Sequence, residues 1–289
     1  MGPADGVDIL AVARNVQKPT NEMCLRCHAG PGGGPNHKHG VTPTKDSDVH
    51  MAKGMSCTAC HTTRDHKVAG GSDIKAQELL EVKVSCSNCH TDSPHKGTQA
   101  ADLNRHQNRI ACQTCHIPAI ARDPMMPTVV ERDWTKPVLN QSIGLYGPTN
   151  KMANHIQPEY RWWNRIMLVP PEPVGSKEDS QSKISPWKRT RYTVIGDAES
   201  GKPVYIKAGL YSVTGDVSAA AKKGAEDAKQ PYSGKWKGVV ESTVFSLNHQ
   251  VAPKSEALKC NDCHSPKGRM DFKALGYADD EAERLTKNR

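Results

Sequence analysis

Phenylalanine occurs only twice in 289 residues, hydrophobic residues make up 36%, and the mean hydropathy is −0.66. A chain of this length ordinarily buries a larger apolar core, so its own side chains do not account for one. No stretch comes near the roughly 18 uninterrupted apolar residues of a membrane-spanning helix. The glycine-rich run Gly30-Pro31-Gly32-Gly33-Gly34-Pro35 lacks the Gly-Lys-Ser/Thr ending of a phosphate loop, which excludes that class of nucleotide site. A backbone lying flat against a planar group is expected there instead. Met1–Gln17 has no basic region followed by an apolar one, so any export leader is expected to lie upstream or to have been removed.

What is present is a repeated unit. All ten cysteines fall into C-x-x-C-H, at Cys24-Cys27-His28, Cys57-Cys60-His61, Cys86-Cys89-His90, Cys112-Cys115-His116 and Cys260-Cys263-His264. Composition alone would give about 0.015 such matches, so chance is excluded. Two thiols at this spacing each form a thioether to one porphyrin, and the following histidine sits under the iron as its proximal ligand. Paired C-x-x-C units also build tetrahedral zinc sites, but zinc does not call for a histidine after every pair. The reading is five covalent haems c, with no cysteine left for a disulfide or a free thiol.

Five macrocycles also explain the thin composition, because they can serve as the core. The expected fold is a multihaem cytochrome c: haem-cored, mostly irregular, with short α-helices and a small β-hairpin element, and not expected to fold without haem. The formal charge of +8 is then no nucleic-acid signal, because two propionates per haem contribute up to about −10. Many lysines and arginines are expected to neutralise propionates.

Three segments follow from motif spacing. Residues 1–123 form a four-haem module, 124–244 a haem-free insert rich in aromatic residues and proline, and 245–289 the fifth-haem segment. Four motifs within residues 24–116 leave too little protein to hold the haems apart. Helices are expected over Val7–Val16, over Ser72–Val84 with Ser72 as cap, and over Ala100–Ala111. The insert predicts a hairpin pairing Arg191–Ile195 with Val204–Ile206, a further strand from Tyr205 to Thr214, and a polar surface helix over Asp216–Lys229 ended by Pro231.

Eight histidines lie outside the motifs: His37, His39, His50, His66, His95, His106, His155 and His249. His50 and His66 flank the second motif. His106 shares an apolar helical stripe with Leu103 and Ile110, just before the fourth motif, which favours ligation over a core role. Met125 and Met126 are less favoured axial ligands.

Several phrases are similar to the octahaem tetrathionate reductase family of multihaem cytochromes c. They include Asp48-Val49-His50-Met51, Gly54-Met55-Ser56-Cys57, Ala111-Cys112-Gln113-Thr114-Cys115-His116-Ile117-Pro118 and Pro158-Glu159-Tyr160-Arg161-Trp162-Trp163-Asn164. Further on come Ile184-Ser185-Pro186-Trp187-Lys188, Asn248-His249-Gln250-Val251-Ala252-Pro253-Lys254 and Asp271-Phe272-Lys273-Ala274-Leu275-Gly276-Tyr277. The resemblance runs through residues 20–278. It implies distal ligation by His39, His50, His66, His95, His106 and His249. It also implies that the chain corresponds to the family's last five haems, because the C-x-x-C-K motif of the family's catalytic iron is absent. The family's substrate chemistry is therefore not carried over.

Six candidates for five irons leave one histidine to spare. The expected function is electron transfer along a closely packed chain of bis-histidine haems, by an extracytoplasmic protein, periplasmic or at the cell surface. Its partners are other redox proteins or copies of itself. If the spare histidine ligates a neighbouring copy head to tail, the contact need not close and an extracellular haem filament results. The alternative is a haem oxidoreductase, or its electron-transfer subunit, reducing a small nitrogen or sulfur oxyanion at one open iron beside Tyr160, Arg161, Trp162 and Trp163.

Overall fold

A computed structural model describes residues 5–29, 39–65, 67–70, 84–168 and 172–287. The expected helix over Ser72–Val84 lies, but for Val84, outside the described residues, as do His37 and His66. The attachment segments adopt single helical turns and little else: Cys57–Cys60, Cys112–His116 and Cys260–Cys263 are one turn each, and Cys86–Asn88 is a 3-10 turn. Only the first motif sits at the end of a longer helix, Asn21–His28, capped by the Thr20 hydroxyl, which accepts from Met23 N–H. A helix covers Ile9–Arg14 and another Ala100–His106, both shorter than their sequence patterns suggest.

The strands are β1 (Thr63–Arg64), β2 (Lys67–Val68), β3 (Thr128–Asn140), β4 (Leu145–Ala153), β5 (Glu159–Trp163), β6 (Ile166–Met167), β7 (Pro173–Val174), β8 (Lys183–Asp197) and β9 (Trp236–Ser246). Five of them form one sheet around β8. β9 runs antiparallel along one edge of β8, from Trp187↔Ser246 to Asp197↔Trp236. The other edge is shared in succession by β5, antiparallel, and β3, parallel over Glu131–Asp133, with β4 beyond β3. This corrects the expectation of a small hairpin in a mostly irregular chain. β8 is rich in lysine, arginine and threonine, so hydropathy hides it. It forms because β9 offers an unbroken ladder and Trp187, fully buried, anchors its first half.

Two more expectations fail beside it. Val204–Ile206 does not return as a hairpin strand. Gly196↔Pro203 is an isolated bridge, and the chain turns instead into a helix over Ala208–Thr214. That helix replaces the strand expected over Tyr205–Thr214. Tyr211 buries its ring and donates from its hydroxyl to Trp134 O (3.1 Å), and Gly215 ends the helix at φ +68° in the left-handed region only glycine enters cheaply. The next helix, Val217–Asp227, is not purely surface. Val217, Ala220, Ala221, Gly224 and Ala225 are buried, and a Cβ at Gly224 would overlap the Tyr205 carbonyl. Small residues let this helix lie close against the sheet end, with Ile195 and Tyr211 in the same cluster.

Apolar burial is split into small clusters. One holds Trp162, Ile184, Met270, Phe272 and Leu275 beside the fifth motif; another holds Val41, Ile117, Ile120, Ala121 and Leu247 behind the fourth. The sheet is stitched to the attachment segments. Ile184 N–H donates to Arg109 O (2.8 Å), and Ile184 O accepts from Ala111 N–H (2.9 Å) and the Thr114 hydroxyl (2.8 Å). The start of β8 thereby fixes the entry to the fourth motif.

Candidate haem-attachment sites

The last four motifs are tight turns, and short polar residues brace two of them. Ser85 caps the third by accepting from Ser87 N–H (3.3 Å), and Asp262 braces the fifth by accepting from Lys259 N–H (2.7 Å). After the turn the backbone N–H of His61, His90 and His264 donates back to the first cysteine's carbonyl, at 2.8–2.9 Å, so cysteines and histidine are displayed from one loop. Asn21 ties the first motif to the second: its side-chain carbonyl accepts from Cys57 N–H at 2.8 Å.

The histidines meet in four opposed pairs among the described residues. Ring centres lie 6.1 Å apart for His50–His90, His61–His249 and His106–His264, and 6.3 Å apart for His95–His116. Metal–imidazole bonds are about 2.0–2.1 Å long, so two rings on opposite sides of one ion stand roughly 6–6.5 Å apart. Every pair joins one motif histidine to one histidine from outside the motifs.

The rings are also oriented. Nδ1–H donates to Ala69 O from His61 (2.8 Å), to Leu285 O from His264 (2.9 Å), to the Asp48 carboxylate from His50 (3.2 Å) and to the Asn104 side-chain carbonyl from His95 (3.0 Å). A carbonyl only accepts, so the proton is on Nδ1 and the lone pair on Nε2 points into the gap. Each of the four pairs contains one ring fixed in this way. Asp48 is itself buried and accepts from Val251 N–H (2.9 Å), which joins His50 to the segment that carries His249.

Burial lowers the pKa of His106 and His116, and that of His249 most, to about 4, with His61 adding to the effect. Much of the His249 side chain is solvent accessible, yet the chain surrounds it closely enough to desolvate it. A ring that is open at its surface but hemmed in by chain faces a slot rather than bulk water. These imidazoles stay neutral near pH 7, the protonation state that binds metal.

The thiols form a second pattern. Cys24 is a near neighbour of Cys57, and Cys86 of Cys112, and within the latter pair one thiol is pushed up and the other down. Cys60 lies within electrostatic reach of Cys89, and Cys115 of Cys260 and Cys263. Cysteines of consecutive motifs are therefore neighbours from the first to the fifth. In the second and fourth motifs, one cysteine neighbours the preceding motif and the other the following one. Among the described residues no group of three or more histidine, cysteine, aspartate or glutamate side chains is placed to hold a bare metal ion. The residues present fit haem c.

Among the described residues, no histidine ring stands opposite His28. The His39 Nδ1–H donates to Ser246 O (2.8 Å), and its ring is edge-on to Phe245. His155 is exposed at φ +50°. The four residues expected around an open iron do not share a pocket. On β5, alternation sends Tyr160 and Trp162 to one face and Arg161 and Trp163 to the other. Trp162 donates to Leu275 O (2.7 Å) inside the cluster at the fifth motif. Arg161 pairs with Glu159 and Glu172, and Trp163 packs edge-on against Trp187.

Sequence reasoning missed two residues at these sites. Asn104 orients His95, and its place on the helix before the fourth motif gave no signal. Arg269 donates to Pro118 O (2.6 Å), two residues beyond His116, and sits beside the fifth motif.

Among the described residues no helix is long and apolar enough to cross a membrane. A family described as bacterial cytochrome c matches residues 147–267. The crystal structure of an octahaem cytochrome c from Shewanella oneidensis is similar over 98% of this chain and 72% of its own, with 28% identity and a TM-score of 0.73. An uncharacterised protein of Archaeoglobus fulgidus is 34% identical over 65 residues, 20% of this chain and 22% of its own. The match thus spans about a fifth of that curated relative. These similarities support a multihaem cytochrome family.

Proposed function

We propose, for a chain similar to multihaem cytochromes c, that it carries electrons along five covalent haems placed in the order of their motifs. The four opposed histidine pairs carry this reading. Haem c held between such rings supplies a one-electron couple at iron. The chain's own residues do the rest. His50, His61, His95 and His264, locked through Nδ1, aim Nε2 at fixed points. Their partners His90, His249, His116 and His106 fill the opposite side, so substrate is excluded from those four positions. The neighbouring cysteines of consecutive motifs would hold the haems close enough for electrons to pass between them. Cytochromes of this kind acquire haem outside the cytoplasmic membrane, which supports an extracytoplasmic location.

Of the six distal candidates, four stand in opposed pairs, which leaves His39 and His66. One of them completes the first iron, and the other serves a haem beyond this set, in a neighbouring copy joined head to tail. Such a contact extends without closing and yields an extracellular filament. Two measurements separate these claims. Carbon monoxide added to the dithionite-reduced protein is expected to leave the spectrum unchanged; a shift worth one haem in the wild type would instead mark an open iron and favour the oxidoreductase reading. Of His39→Ala and His66→Ala, one is expected to open the first iron to carbon monoxide and the other to abolish filaments in electron micrographs. Discrete particles alone at high wild-type concentration would end the filament proposal and leave the carrier intact.

A further inference from the structure

Arg269 lies where the fourth and fifth motifs meet. Its guanidinium donates to Pro118 O at 2.6 Å, just past the fourth motif, and its own N–H donates to Asp262 O (2.8 Å) within the fifth. No carboxylate is paired with it among the described residues. Beside it the Tyr160 hydroxyl is buried, with Arg269, Cys115 and Cys263 as its neighbours. Asp262 and Lys259 are the other charges there: Asp262 faces the same two sulfurs, and Lys259 faces His116. Of these three charged groups, two are cations and one is a carboxylate.

The side of the macrocycle matters. A haem joined through two thioethers carries its propionates on the opposite edge, so a cation at the sulfur edge is not consumed in neutralising them. Fixed positive charge in a partly desolvated place favours the reduced iron, which carries one positive charge less. Each iron takes one electron from a reduced partner and passes it on, with no bond made or broken.

We infer that Arg269 is a positioned charge that raises the potentials of the fourth and fifth haems, so that electrons settle at the C-terminal end of the series. The inference rests on the carrier reading and gives that carrier a direction.

The test is a spectroelectrochemical titration of the haem-loaded protein as wild type, Arg269→Gln, Arg269→Lys and Asp262→Asn. The wild type is expected to show two haems above the other three. Arg269→Gln lowers those two and leaves three unmoved; Arg269→Lys keeps them high. Asp262→Asn, which removes the facing carboxylate, raises the same two and serves as the test if Arg269→Gln loads haem poorly. Adding His106→Met marks the fifth haem by its sulfur–iron absorption band and must mark one of the affected pair. No shift in Arg269→Gln with none in Asp262→Asn, an equal shift of all five, or a shift confined to the lowest potentials would overturn the inference. Failure of the carrier reading is read separately, from fewer than five haems per chain or binding of carbon monoxide to the wild type.

Discussion

Replacing His249 by alanine isolates one iron. His61 keeps its place in this variant, because its Nδ1–H still donates to Ala69 O at 2.8 Å, and the segment around residue 249 stays pinned by the bond from Val251 N–H to Asp48 at 2.9 Å. What is lost is the ring that stood 6.1 Å from His61. The other three opposed pairs share no atom with it, so the effect is confined to one haem of the five. In the reduced protein, carbon monoxide should change the absorbance by one fifth of the total haem contribution and saturate there. Added imidazole fills the space the ring left and should suppress that change. His155→Asn, at an exposed position with no opposed ring, is the control and should leave the spectrum inert. In wild type, acid should mimic the mutation only far below neutrality. The free ring is pulled down to about 4, so it stays neutral until the pH falls through that value, and metal ligation moves the point lower still. A variant that binds no carbon monoxide, or binds it at several irons, would refute the pairing.

Other consequences are local to the scaffold. Gly40 holds φ +104°, and a Cβ there would overlap the buried Gln250 amide, which donates to His39 O and accepts from Ala121 N–H, each at 2.9 Å. Gly40→Ala should therefore cost at least about 2 kcal/mol in denaturant unfolding, while Gly97→Ala, with open space around it, should cost less. Asp197 accepts from Ser233 N–H and from Ser200 N–H and hydroxyl at 2.7–2.8 Å, and these bonds hold its carboxyl well below the usual range. Its contribution is full above about pH 4 and is lost as the pH falls through the depressed value, so Asp197→Asn should flatten the acid limb of the stability curve. Lys188, almost wholly buried, is pulled down to about 7 by burial with Arg132 nearby. The unfolded chain binds more protons between about pH 7 and 10, so stability rises with pH over that window, and Lys188→Met should abolish the rise.

The attachment residues were legible because their chemistry demands fixed spacing in the chain. Cys57, Cys60 and His61 must come from one turn, and one turn is a sequence motif. Of the distal candidates, the four that stand in opposed pairs could be named from the sequence but not matched to their partners. His61 meets His249 across most of the chain, through bonds such as Asp48 to Val251 that no periodicity announces. His106 was the exception, since its helical stripe placed it beside the fourth motif; even so, its ring faces His264 of the fifth. The sheet was hidden for another reason. Arg189 and Arg191 look like surface residues, yet Arg189 lies in a ladder with β9 and pairs with Glu159. Tyr205–Thr214 misled because tyrosine, valine and threonine suit a strand, while Gly215 was the unused sign of a helix end.

The pairing of rings also sets a timetable. In a carrier of the proposed kind, made from its N-terminus onward, His50 meets His90 once a short further stretch of chain has followed it. His61 must wait for His249, far later in the sequence. A product cut short anywhere between keeps a second iron with one side bare. Reactivity at that iron is thus a built-in mark of incompleteness, by which unfinished molecules differ chemically from finished ones before any electron has moved.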